Sequence, residues 1–332
     1  MRIREPLQRL KTRYAVLLLF VIVVGAILIA WKQQGNAPAR RRRRENKEKS
    51  PCNFDDVRYF VLFVGTGRSG HTLVSALLDA HPHVIIADEY NLLQKWPEMK
   101  ARERTRDHIF KELYEKSRND SLRGRSSATN DKRLYTYHVP GEFAGECVGG
   151  YVNVIGDKKG TGSALFLRDQ NNLNEVRKLQ EVVGVPIKIF HVVRNPYDTI
   201  STMTLRHEKG YRKVKKLGKA VEPSYESLSQ RINEYFEMVD AYESLVRANL
   251  PNVEFKDVWS DDMIRDPKSV LRDLCAWLEI ECANSYVRHC ASIVARVPSK
   301  TRELIKWPPK QKEEVKEAMK KYSFFHRYSF SN

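Results

Sequence analysis

The stretch that most constrains the fold is residues 59–79. Residues 59–64 (YFVLFV) form an apolar run of strand length, and residues 72–79 (TLVSALLD) carry helical spacing. Between them lie Gly65, Thr66, Gly67, Arg68, Ser69, Gly70, His71 and Thr72, with three glycines in eight residues. A strand that passes through such a turn straight into a helix aims the helix's unpaired N–H groups beyond the strand end, where an anion is received.

The pattern repeats along the chain. Residues 84–87 begin a second strand–helix unit, and residues 97–150 are polar, predicting helical pieces and loops that cover a site. Residues 151–155 read as a strand ending at Gly156, Asp157, Lys158 and Lys159. A helix over 172–182 precedes a buried strand over 186–193, which turns at Arg194, Asn195 and Pro196 into a helix over 197–205. Residues 209–223 are basic and lack apolar periodicity, which predicts a mobile surface loop. An amphipathic helix over 228–250, a short strand over 253–255 and a helix over 267–280 complete the series. The alternation predicts an α/β fold of three layers with a central parallel sheet.

Ahead of this domain, residues 14–31 (YAVLLLFVIVVGAILIAW) run 18 residues without a charge. As a helix they would span ~27 Å, close to the apolar thickness of a bilayer. The run is longer than a signal-peptide core and no small-x-small site follows it, so a retained anchor is expected. Basic residues flank it on both sides, and local charge leaves the orientation open. The expected organisation is a short cytosolic tail over 1–13, a transmembrane anchor over 14–31, a basic stem over 32–55 and a catalytic domain over 56–332. Residues 1–49 hold 13 Lys/Arg against 3 Asp/Glu, and the rest hold 45 against 38. The basic excess is therefore largely outside the folded domain, and a nucleic-acid partner is not indicated. The five cysteines, Cys52, Cys147, Cys275, Cys282 and Cys290, form no C-x-x-C pattern. Among the last three a disulfide is expected in an oxidising compartment, without a choice of pair. Asn119, Asp120 and Ser121 form a glycosylation sequon if the domain is luminal.

Two motifs carry chemistry. Gly65 to Thr72 departs from G-x-x-x-x-G-K-T by one residue, with His71 at the lysine position. That departure counts against an ATPase, a GTPase or a P-loop kinase, all of which use the lysine. Arg68 supplies fixed donors for a phosphate or sulfate, and Ser69 and Thr72 add hydroxyls. The second motif, FHVVRNPYDTISTM, places Arg194 at a strand end, with Asp198, Ser201 and Thr202 on the following helix. A guanidinium with a hydroxyl suits a second phosphate. His81, His83, Asp88 and Glu89 form no recognised metal-ligand pattern, and no metal is expected.

Together these motifs resemble those of the PAPS-dependent sulfotransferases, over roughly residues 60–330. The resemblance implies a P-loop-like fold and makes PAPS the donor, its 5′ end held by Gly65 to Thr72 and its 3′-phosphate by Arg194 with Thr202 or Ser201. Asp198 becomes the motif's structural acid. Residues 297–307 (VPSKTRELIKW) look like the late basic loop of Golgi carbohydrate sulfotransferases, which makes Lys300 and Arg302 phosphate contacts. DAHPHVIIADEYNLL resembles the region where Golgi tyrosylprotein and carbohydrate enzymes carry an acceptor-side glutamate, which makes Glu89 the general base. Lys158 and Lys159 stand where the tyrosylprotein enzymes have a Lys-Asp pair, here reversed, and one of them would neutralise the leaving oxygen. His191 is expected in a wall and His138 as a reserve base. The implied activity is transfer of a sulfuryl group to a carbohydrate hydroxyl, on an acidic glycan or glycoprotein, by a single-pass type II Golgi membrane protein with a luminal domain. Tyrosine sulfation is the nearest alternative, followed by a P-loop kinase and a non-catalytic glycan-binding membrane protein.

Overall fold

The computed structural model describes residues 52–123, 137–208 and 210–332. They belong to one compact unit, Pro51–Asn332. Five parallel strands form its centre: β1 (Tyr59–Phe63), β2 (Val84–Asp88), β3 (Val154–Lys158), β4 (Ile187–Val193) and β5 (Val253–Trp259), in the order β2-β3-β1-β4-β5. β1 to β4 are buried on both faces, so β1 and β2 read as near-continuous apolar runs, while β3 and β4 also bury Asp157, Lys158, Lys188 and His191. Alternate residues feed two cores. Phe60, Leu62, Ile85, Ile155 and Ile189 point to one side of the sheet, and Val61, Phe63, Ile86, Phe190 and Val192 to the other.

Helices cover both faces. On the first lie α2 (Arg106–Arg123), α3 (Gly160–Leu167), α4 (Leu173–Val183), α5 (Pro196–His207), α6 (Tyr211–Leu217), α7 (Tyr225–Arg247) and α10 (Pro309–Met319), packed through residues such as Phe110, Leu179, Ile200, Val214 and Tyr235. On the second lie α1 (His71–Asp79), α8 (Pro267–Trp277) and α9 (Asn284–Ser292), packed through Leu77, Leu274 and Val287. From central β1 the chain passes to edge strand β2, and from β3 it crosses to β4 on β1's other side. The connections diverge at the carboxyl ends of β1, β3 and β4, where a sheet of this kind opens a ligand crevice.

Three local expectations shift. β3 runs three residues beyond the expected stretch, so Asp157 and Lys158 are its last residues. Gly156 is strand interior and not a turn: a Cβ there would lie 2.1 Å from the Val61 carbonyl oxygen, so glycine lets the two strands approach. The basic segment expected as a mobile loop contains α6, anchored by buried Val214 and closed by Gly218 at φ +64°. β5 continues to Trp259.

The fold expectation is corrected in two respects. The described chain is an α/β fold with a central parallel sheet, but its first loop is not a P-loop motif. The lysine position holds His71, a buried imidazole that burial and the nearby charges of Lys158 and His191 push down to about 3, so it supplies no cation. Among the described residues no helix is long and apolar enough to cross a membrane. Residues 14–31, where the anchor is expected, lie outside the described residues, as do the tail and the stem up to residue 51. The membrane as a partner and the type II Golgi placement rest on that helix and are withdrawn with it.

Two disulfides staple the unit. Cys52 is bonded to Cys147, and Cys275 to Cys282, with Cα atoms 5.8 Å apart in each pair. Cys290 is buried as a free thiol, pushed up to about 12 by burial. The first bond spans 95 residues and ties the entry to β1 to the loop before β3. Closing a loop of that length restricts the unfolded chain, and losing such a bond costs about 2–5 kcal/mol. The double variant Cys52→Ser, Cys147→Ser should unfold at correspondingly lower denaturant, whereas an unchanged midpoint would contradict the bond's structural role.

Candidate active site

Four strands deliver the site from their carboxyl ends. β1 leads into a loop that turns at Gly65 (φ +142°), Arg68 (φ +71°) and Gly70 (φ +110°). Gly65 is required by packing as well, because a Cβ there would lie 2.8 Å from the His191 ring. Ser69 Oγ donates to the Thr66 carbonyl at 3.0 Å and shares a hydrogen bond with Thr66 Oγ1 at 2.7 Å, so these two hydroxyls brace the loop. α1 then starts behind Gly70 with no side chain capping it, which leaves its first N–H groups to the space beyond the loop. The β3 exit meets this loop. Gly65 N–H donates to the Gly160 carbonyl at 3.2 Å, and a Cβ on Gly67 would lie 2.9 Å from Thr161 Oγ1.

A charged cluster sits where β2 and β3 end side by side. Asp88 pairs with Lys158 in the sheet register. Lys158, 1% exposed, places its ammonium 2.7 Å from Asp88 Oδ1, 2.5 Å from Glu89 Oε1 and 3.2 Å from Thr72 Oγ1. The other Glu89 oxygen accepts from Lys159. Burial pushes the Glu89 carboxyl up, but the two ammonium groups outweigh it and hold it below the ordinary value. Glu89 is presented by a tight turn, with itself at φ +59° and Asn91 at φ +68°. Buried Asp157 fixes that turn by accepting from Tyr90 N–H at 3.1 Å and Leu92 N–H at 2.8 Å. Its own carboxyl is pushed up to about 6 by burial.

The β4 end supplies Arg194. Its guanidinium donates to the Arg68 carbonyl at 3.1 Å, tying the two sequence motifs together, and to Ser299 O and Thr301 Oγ1 at 2.5 and 3.1 Å. On α5, Thr202 Oγ1 donates to the Asp198 carbonyl and lies 2.9 Å from Thr301 Oγ1. Ser201 turns the other way and accepts from Trp307 Nε1 at 3.1 Å. Asp198 binds Arg302 through its backbone N–H at 2.8 Å and its guanidinium at 2.5 Å. Burial pushes the Asp198 carboxyl up, against the pull of Arg194 and Arg302.

These groups meet in a cleft of about 370 Å³ lined by Arg68, His71, Thr72, Glu89, Lys158, Lys159, Thr161, Arg194, Thr202, Arg206, Tyr137 and Tyr211 among others. Lys300 and Arg302 do not line it and belong to a separate cavity of about 480 Å³ beside Asp198. His191 is a wall residue, its Nδ1 2.8 Å from Asp257 Oδ1 and its ring stacked on Tyr242 at 3.9 Å. His138 is exposed. His81 bonds the Glu281 carbonyl at 2.7 Å and His83 stacks on Tyr151 at 4.1 Å, so both are structural. Among the described residues no three His, Cys, Asp or Glu side chains gather as a metal site. Sequence reasoning misses Thr161, Arg206, Tyr211 and Tyr137. Arg206 has a signal in hindsight: it follows Thr202 by four residues, one helical turn along the same face.

The family model described as the sulfotransferase family matches residues 61–284. Among solved structures, the chain is similar to the sulfotransferase domain of the Synechococcus PCC 7002 olefin synthase, at 13% identity over 82% of this chain and 94% of that one, with a TM-score of 0.45. It is also similar to the sulfotransferase domain from the curacin biosynthetic pathway, at 13% identity over 81% and 98% with a TM-score of 0.44. Mouse SULT7A1 complexed with PAP matches at 15% identity over 82% and 86%, with a TM-score of 0.39. Among curated proteins no relative matches.

His71 generates a pH prediction. Its folded-state value of about 3 lies below the ordinary 6.5, so unfolding takes up a proton between those limits. The stability it contributes is full above pH 6.5 and is lost as pH falls toward 3. Urea unfolding at pH 7.5 and 4.5 should show wild type losing about 2–3 kcal/mol more than His71→Gln. Equal losses would contradict a neutral, buried imidazole.

Proposed function

The chain belongs to the sulfotransferase family and is a PAPS-dependent enzyme, and from that premise we propose that it sulfates a carbohydrate hydroxyl and releases adenosine 3′,5′-bisphosphate. The observation that carries the carbohydrate reading is the character of the cleft. Five cations (Arg68, Lys158, Lys159, Arg194 and Arg206) face one carboxylate, Glu89, and Leu73 is the one aliphatic residue among the described residues that line it. Such a lining rewards an acceptor rich in hydroxyls and disfavours a lipid, whose burial needs apolar walls. Tyr137 and Tyr211 add ring faces on which a sugar can lie.

In this reading Arg68, Thr72 and the uncapped start of α1 hold the phosphosulfate end of PAPS, and Arg194 with Thr202 holds the 3′-phosphate. Thr202 is preferred to Ser201 because it lines the cleft, whereas Ser201 is fully buried and turned toward Trp307. Arg302 acts through Asp198 and the neighbouring Thr301, which positions Thr202 from behind. Glu89, kept ionised by its lysines, accepts the proton of the acceptor hydroxyl. The new O–S bond forms as the bond from sulfur to the bridging oxygen breaks, and its electron pair stays on the departing phosphate. Lys158 and Lys159 stand beside Glu89 to neutralise that charge.

The test is PAPS-dependent transfer to a panel of glycans, tyrosine peptides and small alcohols. Glycan sulfation is expected, with kcat/KM reduced about 10- to 100-fold in Arg68→Ala and Arg194→Ala. Glu89→Gln should reduce kcat by about 100-fold or more while leaving the KM for PAPS near wild type. Transfer to tyrosine peptides alone would overturn the carbohydrate reading, and full activity in both arginine variants would overturn the donor site.

A further inference from the structure

The positive charge of the domain is concentrated in one place. Residues 50–332 hold 45 Lys/Arg against 38 Asp/Glu, and residues 210–221 alone contain five basic residues and no acidic one. Five of the domain's seven excess charges therefore lie on and just after α6. The sequence pattern suggests a solvated loop, but the segment is held in position. Val214 is buried under it, Gly218 closes the helix, and Val221 pairs with Ile305 in a parallel bridge.

Lys178, Lys306, Lys316 and Lys320 each pair with a glutamate. Among the described residues Lys213, Lys215, Lys216 and Lys219 have no acidic partner; Lys215 meets the Tyr211 ring at 5.9 Å. All four are exposed. Among the described residues other exposed lysines, such as Lys100, Lys268 and Lys310, also lack an acidic partner, but none of them stands in so dense a run of cations. Four unneutralised like charges within seven residues repel one another, a cost that a bound polyanion relieves. The patch is also continuous with the cleft, because Tyr211, the first residue of α6, lines it, and Arg206 lies 5.0 Å from the Tyr211 ring.

We propose that α6 and the residues after it form an acceptor subsite that holds an anionic saccharide chain, one bearing carboxylates or sulfates, while a neighbouring sugar of that chain enters the cleft past Tyr211. This rests on the carbohydrate reading above and adds the charge class of the acceptor. Lys213, Lys215, Lys216 and Lys219 bind residues of the chain away from the reacting hydroxyl. They lower the acceptor KM without touching the donor, and salt screens them because they are exposed.

The experiment compares wild type with the variant Lys213→Ser, Lys215→Ser, Lys216→Ser, Lys219→Ser. The acceptors are unsulfated chondroitin, which carries a carboxylate in each repeat, a neutral N-acetyllactosamine oligosaccharide and an acid-flanked tyrosine peptide. A second readout measures equilibrium binding of chondroitin oligosaccharide in the presence of adenosine 3′,5′-bisphosphate, so that it does not depend on turnover. The expected result is a roughly 10-fold rise in the KM for chondroitin, a matching loss of binding and a shallower salt dependence. The kcat, the KM for PAPS and the KM for the neutral acceptor stay within twofold of wild type. An unchanged chondroitin KM and affinity, or an equal rise for the neutral acceptor, would overturn the subsite. A rise confined to the tyrosine peptide would assign the patch to acidic protein and overturn it as well. If wild type sulfates no glycan at all, the carbohydrate reading fails first, whereas glycan sulfation that ignores the four lysines removes the subsite alone.

Discussion

The buried ammonium of Lys158 is the contact on which the site depends. It ends β3, pairs with the last residue of β2 and reaches the first turn of α1 through Thr72. β3 is thereby fixed at one point to two elements distant from it in sequence, α1 and β2. A charge taken this far out of water is tolerated only with close partners, and Asp88 and Glu89 supply them on either side of the β2 end. The same contact places the one carboxylate of the cleft beside two lysines. Its ionised state is a consequence of the strand register, since Asp88 and Lys158 are directly paired in the sheet.

From there the cleft is a product of sheet order. β1 stands between β3 and β4, so the glycine-rich loop, the lysine pair and Arg194 are neighbours in space although they span residues 65 to 194. The Arg194 guanidinium donates to the carbonyl of Arg68, and Gly65 N–H donates to the Gly160 carbonyl, so the three strand exits brace one another. The β4 side is steadied from behind, where Asp198 gathers Arg302 and Thr301 next to Thr202. Positive charge is arranged in two zones, one inside the cleft and one along α6 outside it.

Much of this was legible in the chain, and the exceptions have physical reasons. The order of strands and helices followed from apolar runs and helical spacing, and the glycine-rich loop and Arg194 fell at strand ends as expected. The extent of β3 is hidden because Gly156 mimics a turn signal in the sequence, whereas its lack of a side chain serves close strand contact. α6 was missed because it has seven residues and one buried anchor, too little for periodicity to register. Lys300 and Arg302 look like cleft cations in a one-dimensional pattern; that pattern does not reveal that Asp198 faces Arg302. Tyr137, Thr161 and Tyr211 reach the cleft through tertiary packing alone. The apolar run over 14–31 is strong as a pattern, but the described fold contains no helix of that kind.

The most direct test of the account is the free energy held in the Lys158 cluster. Equilibrium unfolding of Lys158→Met should show a loss of about 3–5 kcal/mol, because two carboxylates are left without their shared cation. Neutralising them as well, in Lys158→Met, Asp88→Asn, Glu89→Gln, should recover most of that loss. A single variant as stable as wild type, or a triple variant no more stable than the single one, would contradict the claim that this buried ion cluster assembles the site.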